Sequence, residues 1–420
     1  MFEIQGTVTT AVCYAQTVEE GAIEQIRRMC SYALTADSRV RIMPDVHAGK
    51  GCTVGTTMTV TDKVCPNIVG VDIGCGMYTV RLAEREIDLP TLDAAAHFIP
   101  SGMRVWDGRQ EHFDLTGLRC YRALRDSRWL ERSLGTLGGG NHFIEADRAS
   151  DGTLYLVIHS GSRNLGKQVA EIYQQLAVDL HMGKENYFRA RDEIIRTYKA
   201  AGRRAEIEGA LQALKRDFVT QALLVPADLC WLYGSFMADY LHDVEICQRF
   251  ARRNREKMAE ILLAYTGTTA AGAFHTVHNY IDTGEMILRK GAVAAHAGER
   301  LLIPINMRDG SILAVGRGNP EWNFSAPHGA GRVMSRARAK EMLDMDAYRA
   351  AMAGIYTTSV TAETLDEAPM AYKSLAEIED AVRDAVEVVD ILKPVYNFKA
   401  ADDTPPWVKK TEACDPAADA

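Results

Sequence analysis

The rhythm of apolar and polar positions changes three times along the chain. Over residues 1–165, short β-rich runs alternate with glycine-rich turns, as in 51–60 (GCTVGTTMTV), 77–82 (MYTVRL) and 154–158 (LYLVI). That is the pattern of strands joined by tight connections. Over residues 167–265, helical periodicity runs long, and glycine and proline are sparse. Ile172, Leu176, Val178 and Leu180 fit one helix, and Phe236, Tyr240, Ile246, Phe250 and Met258 fit another. From about 273 to 335, short strands and glycine turns return. Ile378, Val382, Val386 and Val389 then predict one face of a final helix over about 376–392. The residues from 401 to 420 are polar and proline-bearing and predict a flexible extension. No repeat recurs at a solenoid period, and no Ser/Gly linker separates the regimes. Two domains would be the plain reading. The unusual residues nevertheless fall in both β-rich regimes, as if one site drew on both. The expected fold is therefore α+β: a single large mixed domain over 1–400, with a helical insertion at about 167–265.

Composition narrows the classes. With 420 residues, 47% hydrophobic and 25% charged, the chain can bury a large core without disulfide or metal staples. No apolar run approaches the roughly 18 residues of a spanning helix, and the most apolar stretch, 222–240, is broken by Pro226 and Asp228. The opening MFEIQGTVTT has neither the basic nor the apolar region of a signal peptide. The nine cysteines are scattered, odd in number and without a CxxC pair. They suit reduced thiols, and hence the cytoplasm, better than a disulfide framework. The net charge of −8 makes a poor non-specific polyanion binder. A nucleic-acid function would need a local basic patch.

Most of the chemistry-bearing side chains sit among glycines, in MPDVHAGKG (43–51), VGVDIGCGM (69–77), LGTLGGGNHFIE (134–145), VIHSGSRNLGK (157–167) and SAPHGAGRVMSRARAK (325–340), and one further histidine opens HNYI (278–281). Glycine lets backbone approach a ligand closely. Asp72 and Cys75 lie three apart in one such turn, and His142, His159 and His278 follow strand-like or loop segments. One carboxylate, one thiolate and three imidazoles suit one or two divalent ions. Ligand softness favours zinc, while the carboxylate admits manganese or iron. Any one of the five alone would read as an ordinary buried residue.

His328 opens HGAGR before a helical run. Glycines entering a helix N-terminus can form an anion site. Arg332, Arg336 and Lys340 recur every four residues as one basic face. A histidine there suits a nucleophile or general acid, and a solvated basic face with a capping histidine explains the pattern equally well. GSRNLGK (161–167) is a near miss of the phosphate-binding P-loop, because Gln168 stands where a hydroxyl is needed. Arg163 in that loop remains a possible phosphate contact, as Arg252, Arg253 and Arg255 do in the helical region, where an exposed helix face is the plainer reading. His47 is ambiguous and can be a structural residue at a strand end, and Asp45 can be a carboxylate that orients a metal ligand.

Taken together and in this order, MPDVH, VGVDIGCGM, GNHFIE, HSGSR and HGAGRVMSR resemble the RtcB family of RNA ligases, which use GTP and manganese. The likeness runs from about Met43 to Lys399. It implies two Mn ions held by Asp72, Cys75, His142, His159 and His278, with Cys75 bridging, and so replaces the zinc that softness favours. It implies that His328 attacks the α-phosphate of GTP and carries GMP. Asn141 is implied on phosphate and Glu145 on guanine, with Phe143 and Tyr372 flanking the base. Lys399 would reach the guanine, Arg332 would contact phosphate or ribose, and Asp45 would be needed near the metals. The implied substrates are RNA ends bearing a 2′,3′-cyclic phosphate or 3′-phosphate and a 5′-hydroxyl, with an archease-type activator as a further partner. The resemblance also places Asn306 and Ser311 on the nucleotide, in the loop INMRDGS (305–311), which departs from the family's GSMG and its nucleotide-contacting serines: Asn306 stands for a serine and Arg308 for a glycine, while Ser311 is kept. Lys399 is followed by Ala400 and the extension rather than by a terminal glycine. These departures suggest a divergent paralogue branch, in RNA repair or tRNA splicing. The competing readings are a metal-dependent cyclic phosphodiesterase without ligation, which would not need His328, and a non-catalytic RNA-binding companion, which would not need intact ligands.

Overall fold

A computed structural model describes residues 1–399. Two sheets carry the fold. A six-stranded sheet runs Phe2–Gln5, Thr10–Cys13, Val40–His47, Val54–Thr59, Ile287–Lys290, Asn279–Asp282 in spatial order. A seven-stranded sheet runs Ala270–Val277, Gly76–Leu82, Leu154–Ser160, Phe143–Arg148, Val386–Lys399, Gly310–Gly316, Arg300–Asn306. Every neighbouring pair in these two sheets is antiparallel except Thr10–Cys13 beside Val40–His47. Strands and helices thus mix in the α+β manner expected from the sequence. The seven-stranded sheet curls until its edges meet, where the Leu302 amide donates to Thr276 Oγ1 (3.1 Å).

Side-chain alternation explains the curl. Val80, Ile144, Leu156 and Ile158 point outward onto Met258, Ala259 and Leu262 of the helix Gly234–Thr266. Met77, Phe143 and Val157 point inward and meet Leu302, Leu313 and Leu392 from the far side of the curl. The open end of this half-barrel is where the glycine-flanked histidines gather.

The helical block comprises Arg163–His181, Glu185–Ala200, Ile207–Asp217 and Gly234–Thr266. Its first and last helices contribute Leu165, Val169, Tyr173, Tyr240 and Phe250 to the main core. The two middle helices bury no residue and form the outlying part.

The last helix is shorter than the periodicity predicts. Ser374 caps Leu375–Ala381, and residues 386–399 form a strand. Val386 is buried, but Val389 is exposed. The run VEVVDILKPVYNFK is rich in β-branched and aromatic residues, which favour a pleated surface. The apolar spacing over 378–389 mimics a helical stripe, and sheet pairing overrides it. Pro394 lies where the register against Phe143–Arg148 shifts, so the missing amide costs no regular ladder bond. The expected extension at 401–420 lies outside the described residues.

Candidate active site

Asp72 and Cys75 lie on the turn leading into Gly76–Leu82, His142 immediately precedes Phe143–Arg148, and His278 immediately follows Ala270–Val277. His159 lies across from both Met77 and Phe143. Cys75 Sγ is 3.4 Å from His142 Nε2 and 3.4 Å from His159 Nε2. His142 Nε2 is 3.0 Å from Asp72 Oδ2, and His159 Nε2 is 2.9 Å from His278 Nε2. The ligating atoms form two triads, Asp72–Cys75–His142 and Cys75–His159–His278, and Cys75 belongs to both.

The local chemistry suits cations. His142 Nδ1 is placed to donate to the Leu137 carbonyl (2.8 Å) and His159 Nδ1 to that of Asn141 (3.1 Å). In those tautomers the Nε2 lone pair faces the cluster. Burial, with neighbouring His278, holds His159 well below the usual histidine range. Burial and His328 do the same to His278. Burial and the Asp72 charge push the Cys75 thiol up, and a bound cation would favour the thiolate. The donor set of one carboxylate, one shared thiolate and three neutral imidazoles fits one or two divalent ions.

Close packing explains two of the glycines. A Cβ at Gly161 would lie 2.1 Å from Asp72 Oδ1, and one at Gly138 (φ +90°) would lie 2.5 Å from His142 Nδ1. The long helix fixes these turns from below. Asn254 Oδ1 accepts the amides of Gly135 and Thr136, and its Nδ2 donates to Thr136 O, Ser160 Oγ and Gly161 O. Arg255, fully buried, donates to the carbonyls of Gly74 and Ser160 (2.7 Å each). It is not part of the exposed helix face that the sequence suggested. Arg163 is likewise spent on structure, donating to Thr136 Oγ1 and the Gly102 carbonyl.

His328 follows the strand Ser325–Pro327, which pairs with Ala292–Ala294. Its ring centre is 4.7 Å from that of His278. Its Nδ1 lies 2.6 Å from Asp45 Oδ2, and the same oxygen accepts the His328 backbone amide at 3.1 Å. Asp45 has no solvent exposure. Lys373 Nζ anchors the Asp45 segment through the Pro44 carbonyl (2.9 Å). Asp45 therefore serves His328 through its side chain, while His47 receives only its backbone carbonyl.

The helix expected directly behind HGAGR starts at Arg336, capped by Ser335, and has seven residues. No helix N-terminus backs His328, and Arg332 lies outside the helix. The basic face is also neutralised. Arg336 and Lys340 pair with Asp366, and Arg336 and Arg332 pair with Glu367.

A cleft beside His328 is lined by Asn141, Phe143, Glu145, Asn306, Arg332, Tyr372 and Lys399. The strand register sets Lys399 opposite Phe143 and Asn397 opposite Glu145. Lys399 Nζ sits 5.7 Å from the Phe143 ring centre, and Arg332 covers the Tyr372 ring at 5.0 Å. Asn306 holds its own turn, accepting the amides of Arg308 and Asp309. Ser311 is not among the lining residues. It is fully buried in Gly310–Gly316, and its hydroxyl has no partner. Arg308 pairs with Asp309 outside the cleft.

Sequence reasoning missed Glu367, which lies almost wholly buried at the cleft. It binds Lys399 Nζ, accepts from Tyr372 Oη (2.7 Å) and pairs with Arg336 (2.6 Å). Burial pushes its carboxyl up, but Lys399 and Arg336 overcome this and bring it to about 2. Asp147, two residues beyond Glu145 on the same strand face, was missed as well. Burial raises both carboxyls, and Glu145 raises Asp147 further.

The α+β scaffold thus carries a buried mixed-donor cluster that could hold metal ions, beside a histidine oriented by a carboxylate. The tRNA-splicing ligase RtcB family model matches residues 25–116 and 119–400, and the chain belongs to the RtcB family. It is 31% identical to the RNA-splicing ligase RtcB of Escherichia coli, over 86% of this chain and 90% of that protein. It is 26% identical to an Escherichia coli RNA-splicing ligase RtcB2, over 91% of this chain and 93% of that one. The tRNA-splicing ligase RtcB of Aeropyrum pernix is 26% identical, over 80% and 82% respectively.

Proposed function

We propose that the protein is a GTP-dependent RNA ligase that joins a 2′,3′-cyclic phosphate or 3′-phosphate end to a 5′-hydroxyl end. The observation that carries this reading is His328. Its Nδ1 is committed to Asp45 at 2.6 Å, which leaves Nε2 with a free lone pair beside the cluster. His328 Nε2 attacks the α-phosphorus of GTP. The N–P bond forms, the bond to the bridging oxygen breaks, and pyrophosphate leaves. The ring becomes cationic while Nδ1–H stays on Asp45, so the buried carboxylate balances the new charge. Water first opens a cyclic phosphate to the 3′-phosphate. An oxygen of that phosphate then displaces His328 from phosphorus, giving a 3′-diphosphate-linked guanosine. The 5′-hydroxyl attacks the RNA phosphorus, and GMP departs as the phosphodiester forms.

Divalent manganese, two ions held by Asp72, Cys75, His142, His159 and His278, would neutralise charge on the reacting phosphates. Phe143 and Tyr372 provide faces for the guanine, Glu145 an acceptor for its N–H groups, and Lys399 a donor near its carbonyl. Asn141 and Arg332 face the phosphates. The eight described cysteines are free thiols, and no described helix is long and apolar enough to cross a membrane. Both agree with a cytoplasmic RNA repair or splicing role, with an archease-type protein as activator.

The test is incubation with α-labelled GTP and Mn, followed by mass mapping. The expected result is an acid-labile, alkali-stable GMP adduct on His328 that is absent from His328→Ala, while Mn content is kept. No adduct in Mn-loaded wild type, with or without archease, would overturn the reading.

A further inference from the structure

A second cavity of about 520 Å³ opens between the helix Gly234–Thr266 and the strands Ala270–Val277, Asn279–Asp282 and Arg300–Asn306. It shares no lining residue with the cleft at His328. Its size is in the range of small-molecule sites, and cations dominate its wall. Arg249, Arg252, Arg255 and Arg300 line it, together with His275. Two acidic residues, Glu245 and Glu299, also line it. Glu245 accepts the Thr283 hydroxyl, and Glu299 accepts the His296 amide.

The partners of these cations decide the argument. Arg252 is paired with Glu256. Arg249 and Arg300 are exposed, and neither makes a side-chain hydrogen bond or ion pair among the described residues. Arg255 has no solvent exposure. Its Nη1 holds the carbonyls of Gly74 and Ser160, but its Nε and Nη2 have no partner. His275 is not one of these cations: burial, with Arg255 and Arg252 nearby, brings it down to about 3, so it stays neutral and donates to Glu256 through Nε2 (3.1 Å). A buried guanidinium with unmet N–H groups is costly unless something negative compensates it. Forked guanidinium donors around one cavity match the oxygens of a phosphate.

We infer that this cavity is a second anion site, which takes a phosphate group from a small phosphorylated ligand or from an RNA backbone. The site is separate from the proposed GTP cleft, and the inference does not depend on the ligase reading. Arg255 spans the two regions, since it lines the cavity on one side and fixes the Gly74–Cys75 turn on the other.

The test is calorimetric titration of the metal-loaded full-length protein with inorganic pyrophosphate. Wild type is compared with an Arg249→Ala/Arg300→Ala double variant of unchanged circular dichroism and metal content. Wild type should bind one equivalent that the double variant loses or binds at least tenfold more weakly. An RNA oligonucleotide with unreactive 5′-phosphate and 3′-hydroxyl ends then identifies the source. Displacement of that equivalent assigns the site to RNA backbone, and its retention assigns it to a free phosphorylated ligand. Equal stoichiometry and affinity in wild type and the double variant would overturn the inference.

Discussion

The pairing of Asp45 with His328 gives the sharpest prediction. Asp45 Oδ2 accepts two N–H groups of His328, from the ring (2.6 Å) and from the backbone (3.1 Å). In Asp45→Asn the backbone donor demands an acceptor at that position, so the amide oxygen takes it. Both hydrogen bonds survive, and the tautomer is kept. What disappears is the negative charge. Under the proposed mechanism, guanylation would place a positive charge on the ring, roughly 4 Å from the centre of the carboxylate. At an effective dielectric near 20, that attraction is about 4 kcal/mol. Part of it is already present in the hydrogen bond to the neutral ring, which leaves roughly 2–4 kcal/mol specific to the transition state. At 1.36 kcal/mol per decade, guanylation should slow roughly 30- to 1,000-fold. Asp45→Ala, which also frees the ring and its tautomer, should be slower still. The assay is single-turnover transfer from α-labelled GTP, with metal content and thermal unfolding measured on the same samples. A folded Asp45→Asn that guanylates within twofold of wild type would refute the charge-balancing role. Loss of bound metal would show that Asp45 acts on the cluster instead.

Cys75→Ala removes the side chain common to both triads and should empty both sites; two ions retained on metal analysis would contradict a shared ligand. Asn254→Ala deletes five hydrogen bonds to the turns beneath the cluster and strands buried backbone groups. It should cost roughly 3 kcal/mol in chemical unfolding, and a loss below about 1 kcal/mol would show that those turns hold without it. For Glu145 and Asp147 the folded pKa values lie above the unfolded ones. Their contribution is complete below the ordinary carboxylate range near 4 and is lost as pH rises through the raised values. Asp147→Asn should therefore flatten the fall in unfolding midpoint from acid to alkaline pH; an unchanged slope would mean that the pair does not carry it.

Much of the site was legible because its chemistry needs rare residues in distinctive surroundings. Asp72, Cys75, His142 and His159, each in or beside a glycine turn, converge with His278. The residues that orient them were harder to read. Asn254 and Arg255 sit in a charged helical run, NREK, whose local pattern looks solvated; only the sheet packed beneath the turns makes them internal. Glu367 lies in LDEAPMAYK, where nothing local marks a buried carboxylate, and its partner Lys399 is 32 residues away. The misread helix at 376–392 has the same origin. Apolar spacing records which positions are buried, and a strand paired on both sides can bury nearly the same ones.

Glu367 has a consequence for how the cleft would meet the proposed nucleotide. Its single carboxylate pairs with Lys399, Arg336 and Arg332 and offsets one of their three charges, so the protein supplies part of its own counterion where salt ions would otherwise gather. An arriving phosphate exchanges one anionic partner for another and releases few ions to bulk water. Nucleotide affinity should then vary only gently with ionic strength, in contrast to the steep salt dependence of surfaces whose bare cations shed condensed ions on binding.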